Sequence, residues 1–145
     1  MKSIKTWVLL ANSQVARIVV NEGPGKGFQV VEGAQWVADP AIEHADAATM
    51  SYSRVGEGQR RVERSSPKVK AEADFASQLG AHLAQELHKG SYERLLIVAA
   101  PHMLGELRHH LSKEVSGITI AQIPKDLVVS DLKALPSLLG NHIAA

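Results

Sequence analysis

The chain contains no cysteine. That absence excludes a disulfide scaffold, a zinc–thiolate or iron–sulfur centre and a cysteine nucleophile. Aromatic residues make up only 4% of the sequence. Neither sign of charge dominates: 16 Lys and Arg against 15 Asp and Glu leave a net +1. The whole-molecule field therefore does not draw the protein to nucleic acid or membrane, and such a partner would need a local patch. No apolar stretch approaches the roughly 18 residues of a membrane span. The run Trp7 to Ala11, behind Lys2 and Lys5, stops at Asn12-Ser13-Gln14. It is too short for the apolar core of a signal peptide. The expectation is a soluble, cytoplasmic protein with no membrane partner.

What is present fits one globular unit. The 145 residues are 45% hydrophobic and 21% charged, enough for one core without metal or disulfide support. A single domain over 1–145 is expected. Thr6 to Ala11 is continuously apolar, as a strand covered on both faces would be. Asn12-Ser13 is a turn signal and Val15 to Val20 a β-branched run, so the two pair as an antiparallel hairpin. The loop Asn21 to Gly27 precedes a third strand from Phe28 to Val37, interrupted near Gly33-Ala34.

Residues 38 to 67 carry no sustained period of 2 or 3.6, and a connection that long is either functional or disordered. Ser66-Pro67 then reads as a capped helix start. Apolar residues at Val69, Ala73, Ala76, Leu79, Leu83 and Leu87 give that helix a buried face ending at Gly90. Leu95 to Ala99 is a buried strand. Pro101 opens a second helix, with Leu104, Leu107, Leu111 and Val115 inward, that Gly117 ends. Ile118 to Ile123 is a last strand, and Ser130 caps a third helix carrying Leu132, Leu135, Leu138 and Leu139 that Pro136 shortens. Right-handed crossovers make the last two strands parallel to their neighbour. The fold class is α/β: a mixed five-stranded sheet, three antiparallel strands followed by helix, strand, helix, strand and helix, with helices on both faces. That element order is the one found in ribonuclease H-like folds.

Familiar catalytic patterns are missing. A ribonuclease H-type nuclease needs carboxylates on the first and fourth strands to hold two metals, and neither strand has one. The seven histidines (His44, His82, His88, His102, His109, His110 and His142) include no pair four residues apart that could share a metal. They read as surface or half-buried residues, with His82 and Glu86 forming an ordinary surface hydrogen bond. Ser130 and Asp131 read as a cap and a favourable first-turn charge. The glycines of NEGPGKG precede a strand and fit no phosphate or dinucleotide loop. No metal and no cofactor is expected.

Charge, in contrast, is concentrated. Residues 54 to 70 hold Arg54, Arg60, Arg61, Arg64, Lys68 and Lys70 against Glu57 and Glu63, a net +4. The rest of the chain, with 10 basic and 13 acidic residues, carries −3. A basic segment on a mildly acidic body suits a phosphate backbone. Tyr52 is the lone nearby aromatic, so sequence-specific reading of bases is not expected. Inside this stretch lies Gly56-Glu57-Gly58-Gln59-Arg60-Arg61. Its two glycines permit close approach to a ligand, and the Gln59 amide can orient a water without changing charge.

The segments TWVLLANSQVARIV, FASQLGAHLAQEL, LLIVAAPHMLGELRHHL and IPKDLV resemble the bacterial host-attachment protein family over nearly the whole length. The most specific stretch is Ala100-Pro101, Leu104-Gly105 and Leu107-Arg108: a strand end, a proline helix start and a glycine that lets the helix sit close to its neighbour. That family in turn resembles the middle domain of eukaryotic and archaeal class-one peptide release factors. There a Gly-Gly-Gln loop enters the peptidyl-transferase centre and helps water attack peptidyl-tRNA. In this sequence Gly58 and Gln59 match the second Gly and the Gln, while Glu57 replaces the first Gly and departs from the hydrolytic pattern.

The resemblance implies a ribosome- or tRNA-associated protein acting in translation rescue or regulation. Arg54, Arg60, Arg61, Arg64 and Lys68 would hold phosphates, and Gly56 and Gly58 would free the loop. Gln59, the one catalytic candidate, would orient water or contact the tRNA end. The alternative is a cytoplasmic protein-interaction module that acts indirectly in attachment, with protein partners at a groove formed by Pro101, Leu104 and Arg108. An exposed third-strand edge could also pair with a second copy.

Overall fold

The structure is a computed structural model and describes residues 4–38 and 67–145. Five strands form one sheet: β1 Thr6–Ala11, β2 Val15–Asn21, β3 Gln29–Val37, β4 Arg94–Ala99 and β5 Thr119–Ile123. Their order is β3-β2-β1-β4-β5. β1 is antiparallel to β2 and β2 to β3, whereas β4 is parallel to β1 and β5 to β4. The mixed sheet expected from the sequence is the sheet observed.

Its centre is β1, buried along its whole length. Asn12 makes the first hairpin, its Oδ1 accepting from the backbone N–H of Gln14 and Val15 at 2.8 and 2.9 Å. This Asx arrangement satisfies the turn's own donors. β3 is an edge strand with a long bulge. Between Arg17 and Val19 of β2, its partner residues run from Gln35 to Val30. Gly33, at φ +79°, lies within that bulge, a conformation that glycine adopts without a Cβ penalty. The other edge, β5, also slips register, between its pairings with Leu95 and Leu96. Bulges of this kind blunt sheet edges against further pairing.

Both crossovers, β3 to β4 and β4 to β5, step the same way across the sheet. Right-handedness therefore places their helices on one face. Those helices are α1 Pro67–His88, α2 Pro101–Arg108 and α3 Lys113–Gly117. They bury Phe75, Leu79, Leu83, Met103, Leu107 and Val115 against Trp7, Leu9, Ile18, Leu95 and Ile97. Val8, Leu10, Leu96 and Val98 point to the opposite face, where Val128, Leu135 and Leu139 cover them. The only helix there among the described residues is the four-residue α4, Leu135–Leu138.

Several details differ from the sequence expectation. The helix expected from Pro101 to Gly117 is two helices, because the Ser112 hydroxyl accepts from Val115 N–H at 3.1 Å and starts α3 afresh. Ser130 caps nothing. Asp131 instead takes the Lys133 N–H into a turn at 3.0 Å, and α4 begins after Ala134 with no side-chain cap. Gly90, at φ +81°, ends α1 as expected, with Gly90 N–H on Leu87 O and Ser91 N–H on Glu86 O, each at 3.0 Å. That pair of bonds is the Schellman closure.

Gly105 is not the close-packing glycine, since a Cβ there would meet open space. Gly80 on α1 takes that part. A Cβ on it would lie 2.3 Å from the His110 carbonyl oxygen.

Candidate functional site

In sheets with parallel strands, ligand sites form beyond the carboxyl ends of those strands. Here β1 and β4 end in register, Ala11 beside Ala99. The Ala100 N–H donates to Ala11 O at 3.1 Å and holds the turn into α2 against β1. Pro101 supplies the fixed φ of a helix start. Met103, Leu104 and Leu107 then face the core, which turns His102 outward.

His102 is the focus of this end. Its side chain is 70% exposed, yet its Nδ1 lies 2.5 Å from Oε2 of Glu72, whose side chain is 8% exposed. With the carboxylate ionised it only accepts, and Nδ1 is then the donor. Nε2 is then the nitrogen left to face a ligand. A carboxylate-anchored imidazole of this kind can take up a proton or donate to a bound anion. The same contact ties the start of α1 to the start of α2.

A second polar pair lies at this end of the sheet. Asn12 Nδ2 donates to Asp126 Oδ2 at 3.1 Å, and Asp126 Oδ1 accepts from Val128 N–H at 3.3 Å. The long connection between β3 and α1 is anchored nearby. Ala38, on its near side, is buried and donates to Gln14 O at 2.7 Å. Pro67 opens α1 on its far side.

The sequence-derived site residues divide accordingly. Arg54, Gly56, Gly58, Gln59, Arg60, Arg61 and Arg64 lie outside the described residues. Lys68 is exposed in the first turn of α1, as is Lys70. Of the groove residues, Pro101 and Arg108 are exposed at the two ends of α2, and Arg108 Nε donates to Gln122 Oε1 at 2.6 Å. Leu104 is not a groove residue. It is 2% exposed and packed in the core between the helices and the sheet.

His82 is half-buried, within its expected range, but it packs on aromatic rings rather than bonding to Glu86. Its ring stands over Trp7, with centroids 6.2 Å apart, and edge-on to Trp36 at 4.8 Å. Glu86 bonds instead to the Ser91 hydroxyl at 2.8 Å and to Lys89 at 3.2 Å. The Ser91 bond, ahead of the Lys89 charge, holds the Glu86 carboxyl below its ordinary pKa. Among the described residues no group of three or more His, Asp or Glu side chains could hold a metal ion.

Glu72 is the site residue that sequence reasoning missed. It falls in register with Ala76, Leu79 and Leu83, so an acid occupies the buried stripe of α1. A carboxylate on an apolar helix face needs a partner, and His102 is that partner.

The family described as "Protein required for attachment to host cells" matches residues 7–139. The chain belongs to that family. The match runs from β1 to α4 and through the basic stretch, so all of the sheet but Thr6 lies within it. A search of curated proteins gives no match. Among solved structures, the non-polymerisable quadruple mutant of pCBH ParM is similar at 12% identity and a TM-score of 0.49. That likeness covers 95% of this host-attachment chain but 48% of the ParM chain, so the chain spans about half the length of that structure. No helix among the described residues is long and apolar enough to cross a membrane.

Proposed function

We propose that this host-attachment family protein binds RNA, with the ribosome or tRNA as its target, through the basic stretch 54–70. The observation that carries the reading is the concentration of charge, +4 in 17 residues on a body of −3. The residues that flank the connection stand at the carboxyl ends of the strands, the end where His102 is exposed. Lys68 and Lys70 extend the positive charge onto the exposed start of α1. Arg54, Arg60, Arg61 and Arg64 supply further phosphate contacts, and His102, held in place by Glu72, presents Nε2 beside them.

The strand order, with three antiparallel strands joined to two parallel ones, supports a ribonuclease H-like arrangement of the release-factor middle-domain kind. Within it Gly56 and Gly58 give the loop freedom and Gln59 meets the tRNA end. Glu57 in place of a glycine favours binding over hydrolysis, which fits rescue or regulation of translation better than peptide release. The rival reading, a protein-interaction module in the cytoplasm, loses its groove where Leu104 is buried.

Fluorescence anisotropy with a labelled ribosomal RNA fragment tests the reading. Log affinity should fall linearly with log salt, by roughly 0.7 for each phosphate neutralised on a single strand. An affinity independent of salt would refute it.

A further inference from the structure

Arg17 lies on β2, opposite Gln35 of β3. Its side chain is half-buried and points to the face of the sheet that carries Val19 and Val128. One of its five N–H groups is used: Nη2 donates to the Ser130 carbonyl. Nε is buried and has no hydrogen-bond partner among the described residues. No carboxylate pairs with the guanidinium among the described residues. A buried N–H without a partner is costly, so the hydrogen bonding of this side chain is incomplete at Nε.

Arg17 lines a cleft of about 280 Å³ with Gln35, Trp36, Val37, Val128 and Val129. The volume is near the lower end of small-molecule sites, which run from about 300 to 1,000 Å³. Val37 is 76% exposed and Val129 89%, so the rim is apolar and open. Residues paired across a ladder share a face, which sets the Gln35 amide beside the guanidinium as a second donor. The β3 bulge begins at this pair, and the Leu127–Ser130 turn closes the other side.

We propose that this cleft binds a small carboxylic acid with a short aliphatic body. Its carboxylate would take the Arg17 guanidinium and the Gln35 amide, and its chain the valine walls. A single guanidinium, with no second cation among the described lining residues, matches a monoanion better than a phosphate dianion, and the four valines Val15, Val37, Val128 and Val129 match an aliphatic chain. The site is separate from the RNA-binding reading, and its failure would leave that reading untouched.

The test is a titration of the ¹⁵N-labelled protein with hexanoate, following the Arg17 Nε–H resonance. Acetate, hexanamide and inorganic phosphate serve as parallel probes. The expected result is a saturable shift with hexanoate, at least tenfold weaker with each of the other three and lost in Arg17→Met. Arg17→Met also removes the bond to Ser130, so Gln35→Leu is the second variant. It leaves that bond intact and should weaken hexanoate several-fold. No saturable shift in the unaltered protein would overturn the proposal. So would a shift as strong with hexanamide or phosphate, or full affinity in Gln35→Leu.

Discussion

Glu72 Oε2 lies 2.5 Å from His102 Nδ1, joining a buried carboxylate on α1 to an exposed imidazole on α2. A leucine at 72 would complete the apolar stripe of α1, so the acid is not what the core requires. Removing the histidine alone strands the carboxylate, whereas removing both polar partners is close to neutral. His102→Ala should therefore destabilise the protein by about 1–3 kcal/mol. Glu72→Leu with His102→Ala should recover most of that loss. Urea denaturation of the two variants checks this, and a double variant no more stable than His102→Ala would contradict it.

The two glycines of the α1 and α2 helices should respond oppositely to alanine. At Gly80 a methyl group would meet the His110 carbonyl oxygen at 2.3 Å, and overpacking of this kind costs about 1–3 kcal/mol. At Gly105 a methyl group meets nothing within 4 Å, and alanine in a helix gains about 0.5–1 kcal/mol over glycine. Thermal melting should place Gly80→Ala several degrees below the parent protein and Gly105→Ala at or above it. Equal melting temperatures would contradict the close approach of α1 to the α2–α3 turn.

Tyr92 gives the alkaline limb of stability. Its hydroxyl donates to Leu83 O at 2.7 Å, and its ring stacks on Trp7 with centroids 4.5 Å apart. Burial, more than the nearby Glu86 charge, pushes its pKa well above the ordinary 10.0. The folded state thus favours the neutral phenol. Stability is full below the unfolded value of about 10 and declines as pH climbs from there toward the folded value. Tyr92→Phe should cost about 1 kcal/mol near neutral pH and flatten the decline above pH 10. Denaturation midpoints across that range measure it, and an unchanged alkaline slope would contradict the assignment.

How legible this was in the sequence depended on which force set each feature. Continuous apolar runs such as Trp7 to Ala11 and Leu95 to Ala99 are strands because burial on both faces demands it, and they were readable. So was the start of α1 at Pro67. Helix breaks set by one hydroxyl, as at Ser112, compete with a continuing apolar period that hides them. The third expected helix, α4, was legible in its leucines and in Pro136, but its start was not, because it begins after Ala134 with no side-chain cap to mark it. Leu104 carries two readings, an inward position of the α2 period and a groove residue at the carboxyl end of a parallel strand, and its burial decides for the first. Glu72 was legible in principle, as an acid on an apolar stripe. Its partner, 30 residues away, was not.

Arg54, Gly56, Gly58, Gln59, Arg60, Arg61 and Arg64 fall outside the described residues, so the central functional claim rests on their chemistry. Co-sedimentation with ribosomes at low and moderate salt tests it most directly, with the unaltered protein beside Arg60→Glu/Arg61→Glu. The account predicts binding that weakens with salt and is lost in the charge-reversed variant. An unaltered protein that stays in the supernatant at low salt, or a variant that pellets equally well, would contradict it.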